Sequence, residues 1–237
     1  MTAYVAFQSP AELRQDSEQL VANIKVHSKA SQTELMMRIM TRFTDEVLKV
    51  FFIDTISLMN MGPWMAKIVH GTVNSIRSTS INVSGTVIRK LDNKQLGPLA
   101  DHICTVMLTH TTANQQAIPY VGFAIDNATH ERLQSVIAAM RSGNARDHYQ
   151  DFSDILIKIN DLAVDAYLRR PIEVLKLGLI MRKLAEGGMS MIQGATHMII
   201  RKLAPDLESH QLLALADHLE QLIIIDPKLG PTGAIAA

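Results

Sequence analysis

The sequence has little cysteine and no net charge, and each shortage argues against a class of protein. The single cysteine, Cys104, cannot form an internal disulfide, which excludes a disulfide-stapled fold and favours a reducing compartment. Lysine plus arginine equal aspartate plus glutamate, at 23 each. Because a balanced chain creates no net field that attracts nucleic acid or an acidic membrane, we expect no nucleic-acid partner.

Long apolar runs and targeting segments are also missing. Lys49 and Asp54 interrupt the most apolar region, so no stretch reaches the roughly 18 uncharged apolar residues typical of a membrane span. Residues 1–8 lack the basic region and apolar run of a signal peptide. The sequence therefore predicts a cytoplasmic protein with no transmembrane segment.

Helix-favouring patterns make up most of the sequence, and clean apolar–polar alternation is scarce. Apolar residues at helical spacing predict a long helix from about 32 to 61 that stops at Gly62-Pro63, and another over about 95–112. Thirteen methionines accompany few aromatic residues. Methionine is flexible, so this composition suits helix packing and also a pocket for an apolar ligand.

One eight-residue stretch occurs twice. Residues 95–102 and 211–218 are identical at six of eight positions, 116 residues apart. At the same offset, residues 4–7 resemble residues 120–123, and both segments read as short apolar leads. A fixed offset between matching segments indicates an internal duplication.

A third pair of segments, 87–91 and 199–203, matches at an offset of 112, which predicts a longer loop in the second copy. Pro171 is expected to open a helix as Pro63 does, and Gly187-Gly188 to interrupt it.

These patterns predict an all-α fold with about four helices per repeat and eight to nine in total. Residues 1–118 and 119–237 form the two repeats, packed as one globular unit about a pseudo-twofold axis. A homo-oligomer is compatible with this arrangement.

The duplicated stretch carries the first candidate site residues, Asp101-His102 and Asp217-His218. Adjacent helical residues point about 100° apart, so the two side chains of each pair cannot share one face. In the structural interpretation, each histidine bonds to backbone and each aspartate joins an ion pair. In the functional interpretation, the histidines are ligands or general bases near the pseudo-axis, because histidine titrates near neutral pH.

Arg89 and Arg201 are the other candidates, because Arg89-Lys90 and Arg201-Lys202 close the preceding helices. A basic last turn is expected on helix-dipole grounds alone. The arginines are therefore either corner ion-pair partners of the aspartates or donors to a bound anion.

Motifs for catalysis are missing from the sequence. It contains no His-Glu-x-x-His, no cysteine pair, no nucleophile elbow and no phosphate loop, so we predict no catalytic residue and no metal site, and the cofactor stays open. We expect a non-catalytic helical binding protein that engages a protein partner or an apolar small molecule in a Met-lined cleft between the repeats. The alternative is an enzyme or sensor with a central His/Asp/Arg site. Peripheral membrane contact through residues 47–68 is disfavoured by the even charge balance.

Overall fold

The helices and strands follow almost the same order twice along the chain. The computed structural model describes residues 2–111, 116–225 and 229–231. The N-terminal half, up to residue 111, contains β1 (Ala3–Gln8), α1 (Ala11–Lys25), α2 (Thr33–Leu48), α3 (Asp54–Met59), α4 (Pro63–Ile88), α5 (Asn93–Val106) and β2 (Met107–Thr111). The C-terminal half, from residue 116, contains β3 (Ala117–Ile125), α6 (Asn127–Ser142), α7 (Tyr149–Val164), α8 (Arg170–Val174), α9 (Leu179–Leu203), α10 (Ser209–Gln221), β4 (Ile223–Ile224) and β5 (Leu229–Pro231).

The helix starts keep one spacing. Helices α1, α2, α4 and α5 begin 116 residues before α6, α7, α9 and α10, respectively. A π-helical turn, Lys49–Ile53, joins α2 to α3, and a second one, Asp165–Arg169, joins α7 to α8 at the same spacing. A π-helical turn widens the backbone hydrogen-bond pattern and is often found at functional or strained positions.

The glutamine that opens the duplicated stretch caps a helix in both places. The Gln95 side-chain oxygen accepts a hydrogen bond from the backbone N–H of Asp92, and the backbone N–H of Gln95 donates to the Asp92 carboxylate. These two bonds close a capping box on α5. Glu208 and Gln211 form the same reciprocal cap on α10. Because a capping box satisfies two otherwise unpaired N–H groups, it fixes where each helix begins.

A five-stranded antiparallel sheet, in the order β4-β1-β3-β2-β5, joins the halves. Every strand pairing connects one half to the other, and β1 and β3 are the central neighbours. Their register is centred on Ala6 opposite Gly122, which are also 116 residues apart. A Cβ atom on Gly122 would lie 2.5 Å from the Ala6 Cβ, so the close approach of the strands requires glycine there.

The two longest helices, α4 and α9, pack side by side. Val83 contacts Gly188, where a Cβ would come within 2.8 Å of the Val83 Cγ2 atom. Near the start of α4, Val69 packs in one cluster with Leu203 at the end of α9, so the two helices run antiparallel. Gly188 therefore lets the helices approach closely.

The predominantly helical prediction is confirmed, but the all-α class is wrong because of the sheet. Counting each run through a π-helical turn as one helix, the described residues contain eight helices, within the predicted range of eight to nine. The predicted break at 62–63 is confirmed, since α4 begins at Pro63. The helix predicted over 95–112 ends at Val106 and continues as β2, because residues 107–111 pair with β3.

Two expectations about α9 and one about the loop that follows it differ from the structure. Helix α9 runs without a break through Gly187-Gly188, and it starts at Leu179 rather than at Pro171. The extra loop residues implied by the 112-residue offset do not occur, because α5 and α10 begin 116 residues apart. The predicted boundary between residues 118 and 119 falls inside β3, and Asn114 of the expected linker lies outside the described residues.

Candidate ligand cavities and the paired histidines

Each histidine of the duplicated stretch bonds to the backbone of the opposite half. The His102 Nε2 lies 2.8 Å from the carbonyl oxygen of Ala166, and the His218 Nε2 lies 3.0 Å from that of Val50. Both carbonyls belong to π-helical turns, and Val50 and Ala166 are 116 residues apart. Because a carbonyl only accepts hydrogen bonds, each Nε2 atom is the donor.

The surroundings of His102 favour its neutral form. Burial lowers the pKa of His102 and the nearby positive charge of Arg170 lowers it too, whereas the hydrogen bond to Ala166 acts in the opposite direction. A neutral imidazole that donates Nε2–H to a fixed carbonyl holds two segments together. The geometry therefore matches the structural interpretation of the paired histidines.

The aspartates and arginines of the candidate set lie apart from these contacts. Asp217 accepts a 2.6 Å hydrogen bond from Arg141, which also binds Glu220 at 2.6 Å. The hydrogen bond to Glu220 raises the pKa of Arg141 most, and the one to Asp217 raises it next. Asp101 is exposed. Asp217 thus has its ion-pair partner on α6.

The two arginines occupy different places. Arg89 follows the last residue of α4, whereas Arg201 lies within the last turn of α9, and both are exposed. The residue 116 positions before Arg201 is Gly85, so Arg89 and Arg201 do not occupy corresponding positions in the two halves. Across the described part of the chain, no hydrogen bond or ion pair joins any two of the six candidates Asp101, His102, Asp217, His218, Arg89 and Arg201.

The described residues contain neither a metal-binding cluster nor a membrane-spanning helix. Among the described residues, no group of histidine, cysteine, aspartate and glutamate side chains is arranged to hold a metal ion. Burial raises the pKa of the half-buried Cys104 thiol, which makes it a poor nucleophile. None of the described helices combines the length and the apolar character needed to cross a bilayer.

A cavity of about 170 Å³, here called cavity A, lies between the halves. The N-terminal half supplies its π-helical turn, α3 and α4, and the C-terminal half supplies α7, α9 and α10. The wall is almost entirely apolar. It includes Phe51, Phe52, Met59, Met61, Ile199 and Leu203.

A smaller cavity of about 70 Å³, cavity B, also lies between the halves, at the place that the 116-residue spacing relates to cavity A. Most of its wall stands 116 residues from the wall of cavity A. Such pairs, cavity A first, are Phe51 and Tyr167, Phe52 and Leu168, Met59 and Leu175, Ile199 and Val83, and Leu203 and Val87.

One exchange acts in the direction of this difference in volume. Ala204 in the wall of cavity A corresponds to Ile88 in cavity B, and both residues are buried. Isoleucine carries three more carbon atoms than alanine. Ile88 therefore fills space that stays open beside Ala204.

Each cavity contains one buried polar group that has no hydrogen-bond partner among the described residues. In cavity A, the hydroxyls of Thr55 and Thr196 bond to carbonyls of their own helices, but the Asn160 Nδ2 is buried without a hydrogen bond. In cavity B, the Tyr167 hydroxyl is the unpaired group, and burial raises its pKa. A buried unpaired donor costs about 1–3 kcal/mol, so each is a candidate contact for a ligand.

Sequence reasoning reached part of this arrangement. Met59 and Met61 belong to the expected Met-lined cleft, although branched aliphatic and aromatic side chains form most of the wall. Asn160 was missed. Its signal is a polar residue between the apolar Ile159 and Leu162 on a helix whose neighbouring positions are buried.

Comparison of the chain with protein-family models, with curated proteins and with solved structures finds no match.

Proposed function

We propose that the chain is an internally duplicated, pseudo-twofold helical protein that binds one small apolar molecule in cavity A and catalyses no reaction. The proposed ligand carries a hydrogen-bond acceptor, such as a carbonyl or ether oxygen. The observation that carries this proposal is an apolar cavity between the halves in which, among the residues that the structure describes, the Asn160 Nδ2 is the one buried side-chain polar atom without a hydrogen-bond partner.

Three features of the fold support the duplication. The helix starts and both π-helical turns keep the 116-residue spacing. The central strand pair is centred on Ala6 and Gly122, which that spacing relates. The same spacing relates the hydrogen bond between His102 and Ala166 to the one between His218 and Val50, because 116 residues separate the two histidines and also the two acceptors.

The volume of cavity A sets the size of the ligand. An engineered cavity of about 150 Å³ with a similar apolar lining stays dry and binds benzene. Cavity A, at about 170 Å³, therefore suits a single ring with a short substituent, whereas cavity B, at about 70 Å³, is too small for one. We expect one ligand per chain.

The expected affinity is modest. Burying about 200 Å² of apolar ligand surface at about 25 cal/mol per Å² contributes roughly 5 kcal/mol. That free energy corresponds to a dissociation constant of roughly 0.1–1 mM. An acceptor that pairs with Asn160 strengthens binding further, because it removes an unsatisfied buried group.

The proposal is tested with two ligands of nearly the same shape, acetophenone and α-methylstyrene, which differ in a carbonyl oxygen against a methylene group. Titration is followed by two-dimensional NMR of the full chain. We expect both to bind and acetophenone to bind more tightly, with shifts at residues that line cavity A.

Substitutions at corresponding wall positions provide the control. Ala204→Ile gives cavity A the residue that cavity B has, and it should abolish binding. Ala185→Val gives cavity B the residue that Val69 provides in cavity A, and it should leave binding unchanged. Equal binding by a folded Ala204→Ile variant and by the unmodified chain would remove cavity A as the site.

The alternative, an enzyme or sensor with a central His/Asp/Arg site, requires its residues to meet in one pocket. His102 and His218 are instead held on separate carbonyls, and Asp217 pairs with Arg141. The geometry therefore favours the binding protein.

A further inference from the structure

Helices α4 and α9 pack side by side, and their exposed large apolar side chains define what is here called the outer face. On α9 these are Leu179, Ile180, Leu184, Met191 and Met198, of which Ile180 is 82% exposed. From Ile180 onward, a spacing of four, seven and seven residues places the last four in one stripe along the helix, and Leu179 lies about 100° to one side. Trp64, 68% exposed at the start of α4, stands 116 residues before Ile180.

The charges of α4 and α9 have mostly one sign. The two helices contain six lysines and arginines and one acidic residue, Glu186. Arg77 pairs with Asp45, and Arg182 pairs with Glu186. The other four cations are exposed and make no ion pair within the described part of the chain: Lys67, Lys183, Arg201 and Lys202.

The unpaired cations flank the apolar stripe. At about 100° per residue, Lys183 and Lys202 project within roughly 60° of the line through Ile180 and Met198. Lys67 lies one turn after Trp64 on the exposed side of α4. The outer face is therefore positive although the whole chain is neutral, so net charge is a poor guide to this surface.

We propose that the outer face docks on an anionic lipid surface, with Trp64 and Ile180 entering the interfacial layer and the four cations contacting lipid headgroups. Tryptophan and large apolar side chains bordered by lysine and arginine are typical of helices that lie in the plane of a membrane surface. The free cations supply the charge complementarity.

A lipid surface fits better than an acidic protein partner. The apolar side chains are spread along the 25-residue α9, which is about 38 Å long at 1.5 Å per residue, and Trp64 adds one more at the start of α4. Small or polar residues such as Gly187 and Ser190 separate those of α9, and none of the exposed apolar side chains lines cavity A or B. A protein interface is usually centred on a pocket that receives an anchor side chain, whereas a bilayer accepts dispersed ones.

Trp64 is the only tryptophan in the chain, so its fluorescence reports directly on the outer face. The full-length protein is titrated with vesicles of phosphatidylcholine alone and with equimolar phosphatidylcholine and phosphatidylserine. We expect a blue shift of the emission with the anionic vesicles only, and we expect molar salt to reverse it because exposed charges are screened.

Charge variants separate the outer face from charge in general. Lys183→Gln combined with Lys202→Gln should weaken vesicle binding about 25-fold, because each cation near an anionic bilayer strengthens binding about fivefold. The matched control, Lys29→Gln combined with Lys94→Gln, makes the same charge change at exposed positions elsewhere and should leave binding within about twofold.

Several results would overturn the proposal. They are an unshifted Trp64 emission with anionic vesicles, an equal shift with neutral vesicles, and an equal loss of binding in the control variant. A shift with poly-glutamate but not with anionic vesicles would assign the face to an acidic protein instead. None of these results depends on whether cavity A binds a ligand.

Discussion

Replacing Gly122 by alanine tests the close contact at the centre of the sheet. The added Cβ would lie 2.5 Å from the Ala6 Cβ, 2.7 Å from the carbonyl oxygen of Val5 and 2.9 Å from the Ala6 Cα. Carbon atoms in contact are normally about 3.5–4.0 Å apart, so the strands must separate by roughly 1 Å. The neighbouring pair Val5 and Phe123 is buried, and this separation would disturb its packing.

The expected cost follows from two opposing effects. Forcing an extra carbon into a packed site costs about 1–3 kcal/mol. Exchanging glycine for alanine also restricts the unfolded chain, which offsets about 0.4–1 kcal/mol. We therefore expect Gly122→Ala to lower the free energy of unfolding by about 1–2 kcal/mol, measured by urea denaturation followed by circular dichroism.

A double variant makes the test specific to the pairing of Ala6 with Gly122. Ala6→Gly combined with Gly122→Ala moves the Cβ atom from one strand to the facing position on the other. Ala6→Gly removes the nearest of the three contacts of the new Cβ, while those with the Val5 carbonyl oxygen and the Ala6 Cα remain. The double variant should then regain part of the lost stability, a positive coupling in the double-mutant cycle. Unchanged stability of Gly122→Ala, or no rescue by Ala6→Gly, would refute the reasoning.

Three further predictions concern the cavities and the cross-half histidine. Asn160→Leu should bind acetophenone and α-methylstyrene equally in the NMR titration without loss of stability, because it removes the unpaired buried amide; a preserved preference for acetophenone would place the acceptor contact elsewhere. Ile88→Ala should lower the free energy of unfolding by about 2–5 kcal/mol and enlarge cavity B; calorimetry should then detect a second ligand per chain, and a stoichiometry of one would show that cavity B stays closed. The folded-state pKa of His102 lies below the ordinary 6.5, so the unfolded chain binds more protons between the two values. The stabilising contribution of neutral His102 should therefore be fully present above pH 6.5 and fall as the pH drops below it. Urea titrations should show a weaker pH dependence of the unfolding free energy in His102→Gln, whose amide keeps a donor for Ala166. An equal dependence in both proteins would exclude His102 as its source.

The duplicated stretch shows which features of this fold can be predicted from residues close in sequence. Gln95 and Gln211 are identical because each completes a helix cap, and Leu96 and Leu212 because each is fully buried. A helix cap and a buried helix face depend on residues close in sequence, so the helices were predictable. The identity of the two histidines has another origin, since each bonds to a turn of the opposite half.

The strands were missed because their partners are distant in sequence. Residues 107–111 continue an apolar helical pattern, and it is the pairing with β3 and β5 that makes them a strand. Gly188 is a second case in which a distant contact decides. The sequence pattern predicts a break in the helix there, whereas the glycine allows close contact with Val83 of α4. Neither contact can be predicted from residues close in sequence, because both arise from packing between the halves.

The cavities could not be predicted, because each wall combines positions from both halves. Their comparison nevertheless supports the proposed function. The histidines that join the halves, His102 and His218, are the same in both, whereas several positions in the cavity walls differ. Ile88 stands in the wall of cavity B where the smaller Ala204 stands in that of cavity A, and the residue 116 positions before Asn160 is Thr44. If both cavities served only packing, there would be no reason for cavity A to remain the more open one at a cost in stability. Retention of the open cavity is expected if it is the one that binds a ligand.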